Sequence, residues 1–163
     1  MASTTFSGPV TSQNGFVGPV LSAAPVNATA ATLAVTQTSY AGTIVTLNRA
    51  AGIAVTLPAA TGTGSVYRFL VGTSVTSNST TIKVANATDV MTGSAYVISD
   101  NSAAVLGYRT ASSDDTITLN GTTTGGLKGD LITITDVGTG LFAVSVFSAA
   151  TGTEATPFSA TVS

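Results

Sequence analysis

The stretch GIAVTLPAATGTGSVYRFLVG, residues 52–72, holds two short β-branched runs on either side of a Pro/Gly-rich break. In its second run Tyr67, Phe69 and Val71 fall on one parity and Arg68 on the other. Successive side chains of a strand point to opposite faces, so this alternation predicts a strand with a buried and an outward side. The break PAATGTG can continue neither a helix nor a ladder.

The same unit recurs outward in both directions. The runs TLAVTQ, GTIVTLN, GIAVTLP, SVYRFLVG, TTIKVA, AYVIS, AVLGYRT, DTITLN, DLITITDV and LFAVSVF are separated by turn residues. Short strands at this spacing, with no window of 3.6-residue period, predict an all-β fold: an antiparallel β-sandwich or β-barrel with almost no helix. Ile117 and Leu119 oppose Thr116 and Thr118 in DTITLN, so inner faces are expected to be apolar and outer faces largely Thr. NRAAG, PAATGTG and NGTTTGGLKG are predicted to be hairpin loops, and the few aromatic side chains are assigned to the core. A weak echo links TIVTL, IAVTL, TITL and LITIT, but its spacings are unequal. A solenoid requires a fixed period, so the echo is not read as a repeat.

Charged residues make up only 7% of the chain, against roughly a quarter in an ordinary soluble domain. Hydrophobic residues reach 44%, many of them β-branched, which is not a disorder composition. The length of 163 residues suits one domain plus an arm. The net charge is −2, and Arg49, Arg68, Lys83, Arg109 and Lys128 are scattered singly, so no nucleic-acid partner is expected. No basic region precedes an apolar run near the first residue, and LFAVSVF is too short to span a bilayer. Neither export by a signal peptide nor a membrane anchor is expected.

Residues 1–30 read as an extended N-terminal arm and residues 31–163 as the β domain. No charged side chain occurs before Arg49, and Phe-x-Gly-Pro-Val occurs twice, at residues 6–10 and 16–20. Each Gly-Pro pair keeps its segment extended or turning. An uncharged arm of this kind gains burial by lying along a partner or adding to a sheet edge. Phe6, Pro9, Val10, Phe16, Pro19, Val20 and Leu21 are the candidate docking residues. Pro25 also presets the backbone, and QNG at residues 13–15 could fold one copy back on the other as a hairpin.

The chain has no histidine and no cysteine, which removes the commonest general base, the thiol nucleophile and most transition-metal ligands. The acidic residues are Asp89, Asp100, Asp114, Asp115, Asp130, Asp136 and Glu154. Asp114, Asp115, Asp130 and Asp136 are candidates for a Ca²⁺ cage, but neither stretch has the spaced Asp/Asn loop closed by Glu. They read instead as solvated turn carboxylates. NGTTTGGLKGD lacks the order of a phosphate loop, and the Asn-x-Ser/Thr triplets at Asn27, Asn78, Asn86 and Asn120 are expected by chance in so Thr-rich a chain. No catalytic residue, metal, cofactor or small-molecule substrate is expected.

Across residues 52–160, and most specifically in VTLPAATGTGSVYRF and LNGTTTGGLKGD, the sequence resembles small virion proteins of tailed double-stranded-DNA bacteriophages. The resemblance implies a capsid decoration, or cement, protein made in the host cytoplasm and bound on the outer surface of the head. Its implied partners are the major capsid protein and itself, commonly as a trimer. A surface so poor in charge, with a mean hydropathy of +0.46, also predicts a homotrimer. The alternatives are a phage fibre or receptor-binding β protein, which would show a long repetitive shaft or an aromatic patch, and an adhesin, which would carry an export signal.

Overall fold

The computed structural model describes residues 24–162. The chain runs through β1 (Val26–Ala28), β2 (Thr32–Ala34), the single helical turn α1 (Gln37–Tyr40), β3 (Ile44–Leu47), β4 (Ala54–Thr56), β5 (Val66–Val71) and β6 (Thr80–Lys83). It continues through β7 (Val90–Ser99), β8 (Val105–Arg109), β9 (Thr116–Leu119), β10 (Leu131–Gly138), β11 (Leu141–Ala150) and β12 (Phe158–Ser159). All ten expected runs form strands. β1 and β12 are added to them, and β1 lies inside the stretch read as the arm, so the β layers begin upstream of residue 31. No helix among the described residues is long and apolar enough to cross a membrane.

Two sheets pack face to face as a sandwich: a seven-stranded sheet in the order β1-β3-β5-β10-β11-β7-β8 and a five-stranded sheet in the order β12-β9-β6-β4-β2. Each has a cross-strand row of inward side chains. In the larger sheet Val26, Val45, Phe69, Ile132, Val146, Ala95 and Tyr108 stand in register. In the smaller, Leu33, Val55, Ile82, Ile117 and Phe158 do the same. The two rows belong to one buried cluster. Each fully buried Val, Ile, Leu or Phe contributes about 1.5–3 kcal/mol.

The sheets are mixed rather than antiparallel. β1, β3 and β5 are parallel neighbours in one sheet, and β2, β4 and β6 are parallel neighbours in the other. The chain from β1 to β6 therefore alternates sheets at every step, three turns of a two-sided coil. The echo among TIVTL (β3), IAVTL (β4), TITL (β9) and LITIT (β10) does not follow this winding, since β9 and β10 lie outside it and pair antiparallel with their neighbours. The period of the winding is uneven: Val26, Val45 and Phe69 are 19 and 24 residues apart, and Leu33, Val55 and Ile82 are 22 and 27 apart. Turns of unequal length can stack when the loops absorb the difference, which is why the fixed-period test missed them.

For the same reason NRAAG, PAATGTG and NGTTTGGLKG are not hairpins. Each carries the chain from one sheet to the other. The two hairpins lie elsewhere, between β7 and β8 and between β10 and β11. β11 also pairs with β7 in parallel along its whole length. Gly93 in β7 makes that closeness possible, since a Cβ there would lie 1.8 Å from the carbonyl oxygen of Val144. At the sheet-to-sheet passage after β9, a Cβ on Gly121, whose φ is 79°, would meet the Val75 carbonyl oxygen at 1.9 Å.

Candidate interaction face

Phe6, Pro9, Val10, Phe16, Pro19, Val20 and Leu21 lie outside the described residues. The acidic residues lie within them, and five of the seven are buried: Asp89, Asp114, Asp115, Asp130 and Asp136. They are therefore not solvated turn carboxylates. Nor do they converge, since among the described residues no three acidic side chains come together.

Each instead holds a loop or terminus by its backbone N–H groups. Asp136, only 2% exposed on β10, accepts from the N–H of Thr61, Gly62 and Thr63 and from the Thr63 hydroxyl, at 2.7–3.2 Å. It thereby fixes the β4–β5 passage, about seventy-five residues away in sequence. Asp89 accepts from Ala60 N–H in the same passage at 2.9 Å. Asp130 accepts from Gly126, Leu127 and Ala149, and Asp115 from Thr161 and Val162. Burial, the largest single influence on Asp136, pushes its carboxyl up, yet the bonds from Thr63, Gly62 and Thr61 together hold it below the ordinary Asp value. At Asp130 burial wins, and its carboxyl is raised despite the bonds from Ala149, Gly126 and Leu127. Asn86 and Asn120 likewise accept from N–H groups of their own turns.

The feature left for an outside partner is the outward face of the seven-stranded sheet. Among the described residues, the exposed large apolar side chains Ile44, Tyr96, Ile98, Val105, Leu131 and Phe147 stand on it. Register builds the patch. Leu70, Leu131, Phe147, Tyr96 and Gly107 are successive partners across β5, β10, β11, β7 and β8. Ile98 and Val105 pair two residues further along. Phe147 is 56% and Tyr96 46% exposed, and their rings stack with centroids 5.3 Å apart and planes 18° apart. The adjacent row is polar from Arg68 through Thr133, Ser145 and Ser94 to Arg109 on the edge strand, and Ile44 lies beyond Arg68.

The expectation of outer faces made of Thr and of aromatics confined to the core fails here. Tyr67, Phe69, Phe142 and Phe158 are core residues, whereas Tyr96 and Phe147 are outside. A signal was present at Phe147. In LFAVSVF, Phe142, Val144 and Val146 share the inward parity and Phe147 breaks it. Nothing local brings it beside Tyr96, because that contact depends on two strands about fifty residues apart pairing in parallel.

No protein-family model matches the chain, no curated protein matches it, and no solved structure matches it.

Proposed function

We propose that this chain is a non-enzymatic structural virion protein, a capsid decoration protein that binds the outer surface of a bacteriophage head and stabilises the shell. The observation that carries this reading is the outward face built around Phe147 and Tyr96. Contiguous exposed apolar surface on a chain this small is the mark of a site that another macromolecule covers. The resemblance of residues 52–160 to small phage virion proteins supplies the class of partner, the major capsid protein. The carboxylates add support of a different kind, since the buried ones are committed to N–H groups of the protein's own loops.

In this reading the protein is a homotrimer on the head, and the arm with Phe6, Val10, Phe16, Val20 and Leu21 is a second attachment. A fibre or receptor-binding role is the weaker reading. Rings that recognise a sugar present their faces to it, whereas Tyr96 and Phe147 each turn one face to the other.

The test mixes purified protein with undecorated heads of the virus that encodes it and measures bound copies after sedimentation. Saturable binding is expected, with particle density at three-fold or quasi-three-fold positions by cryo-electron microscopy. A chain lacking its first twenty residues should retain its β-sheet circular dichroism, because β1 begins at Val26, and bind with sharply reduced occupancy. Absence of binding by the full chain would overturn the reading.

A further inference from the structure

We infer that the surface this face covers is an apolar strip of the shell protein, carrying a projecting apolar side chain and acidic groups placed to meet Arg68 and Arg109. The inference rests on the decoration reading and adds the chemistry of the counter-surface. Three observations lead to it.

The first is charge. Arg68 on β5 and Arg109 on the edge strand β8 stand in the same outward row, separated by four strand spacings, or about 19 Å, and Ile44 of β3 lies beyond Arg68. No Asp or Glu stands among the strand residues of this face. Five of the seven acidic residues are buried, so the sign of the net charge misdescribes what a partner meets. A second copy of the same face brings two more cations and no strand carboxylate to meet them. A partner with carboxylates opposite Arg68 and Arg109 is complementary.

The second is shape. Tyr96 has Phe147 as its neighbour on one side and Gly107 on the other. With no side chain at Gly107, the side of the Tyr96 ring away from Phe147 borders a notch whose walls are Val105 and Arg109, two residues to either side on β8. A Cβ built at Gly107 meets no atom within 4 Å, so the notch is open above the sheet. The third is that β8 is the edge strand, which leaves the notch accessible from above and from the side. A knob entering it would lie against Tyr96 and Val105, with Arg109 beside it, and cover apolar surface that is otherwise in water.

The experiment uses the full chain and undecorated heads of the same virus. Gly107→Leu fills the notch at a site with room for the side chain, and should weaken binding by about 30-fold with the melting temperature nearly unchanged. Arg68→Glu with Arg109→Glu should weaken it by about 100-fold or more, and Arg68→Gln with Arg109→Gln should flatten the salt dependence shown by the parent protein. If the parent binds heads and all three variants bind equally well, the inference is overturned and the decoration reading stands. If the parent does not bind, both fall. Self-association without heads that Gly107→Leu abolishes would identify a second copy as the occupant and overturn the inference on its own.

Discussion

The two outward faces of the sandwich are built by the same chain on the same core, yet they differ in kind. On the five-stranded sheet the outward row is Thr32, Ala54, Thr81 and Thr118, and the next one contains Ala34, Thr56 and Lys83. On the seven-stranded sheet the corresponding positions hold Leu70, Leu131, Phe147 and Tyr96. The threonine face shows what folding requires on the solvent side: β-branched residues that favour the strand and leave little apolar surface in water. The aromatic face exceeds that requirement. Side chains the sheet does not need, gathered on one side only, are those that selection for an interaction would place there.

Loss of the interior beneath both faces should have the largest effect. Asp136→Ala removes the acceptor that ties the exposed Thr61, Gly62 and Thr63 N–H groups to the sheet, at a cost of about 1–3 kcal/mol. Urea unfolding should show this, with Asp100→Ala, an exposed carboxylate, within about 0.5 kcal/mol of the parent. The same groups set the acid limb. Asp136 is held below the ordinary Asp value, so its contribution is complete above that value and is lost as pH falls through the depressed one. Asp130 is raised, so its ionisation costs stability as pH rises from the ordinary Asp value to its folded one, and the parent regains that stability on acidification before the loss at Asp136 begins. Below about pH 4 stability should therefore fall less steeply in Asp136→Asn than in the parent, whereas Asp130→Asn should differ from the parent above about pH 4, where it lacks that gain on acidification. Parallel slopes in all three proteins would show that neither carboxylate governs acid unfolding.

The next effect separates the faces. Tyr96→Thr with Phe147→Thr gives the seven-stranded sheet the chemistry of the other. Binding to heads should fall about 100-fold, the scale of a central aromatic anchor. Stability should fall far less, because both side chains are about half in water already. A double mutant that unfolds would mean that the rings serve the sheet and not a partner.

Strand existence was legible from local pattern, and every expected run formed. Tyr67, Phe69 and Val71 in β5, and Ile117 and Leu119 in β9, point inward as their parity predicts. The strand order was not legible, because pairing β7 with β11, or passing from β4 to β5 across the sandwich, is decided by contacts between distant segments. The interaction face shared that obscurity. In AYVIS both parities are apolar, Ala95 and Val97 against Tyr96 and Ile98, so alternation cannot say which side faces out. The buried carboxylates were not legible because each lies beside a turn, as solvated ones do, while the donors that bury Asp89, Asp115 and Asp136 are remote in sequence. The candidate docking residues of the arm stand outside the described residues, and their assignment rests on the Gly-Pro spacing alone.

A smaller effect measures how much of the aromatic row belongs to the sheet itself. Stacked rings on neighbouring strands contribute about 0.5–1.5 kcal/mol beyond their burial. A double-mutant cycle on Tyr96→Ala and Phe147→Ala should return a coupling in that range by urea unfolding. Repeated on head binding, the cycle should return strong non-additivity, since either truncation disrupts the surface that the partner meets.

The smallest stability change is expected from making the threonine face apolar. Thr81 and Thr118 are direct partners in β6 and β9, each partly exposed, and neither hydroxyl is needed to satisfy a buried group. Thr81→Val with Thr118→Val keeps the β-branch and the shape, so unfolding free energy should move by no more than about 0.5 kcal/mol. The variant should bind heads like the parent, with no second class of sites. Added hydrophobicity alone supplies neither the two arginines of the seven-stranded face nor the opening beside Tyr96. New binding sites on heads created by two valines would mean that any apolar sheet face suffices, and the contrast between the faces would reduce to the amount of oily surface rather than its arrangement.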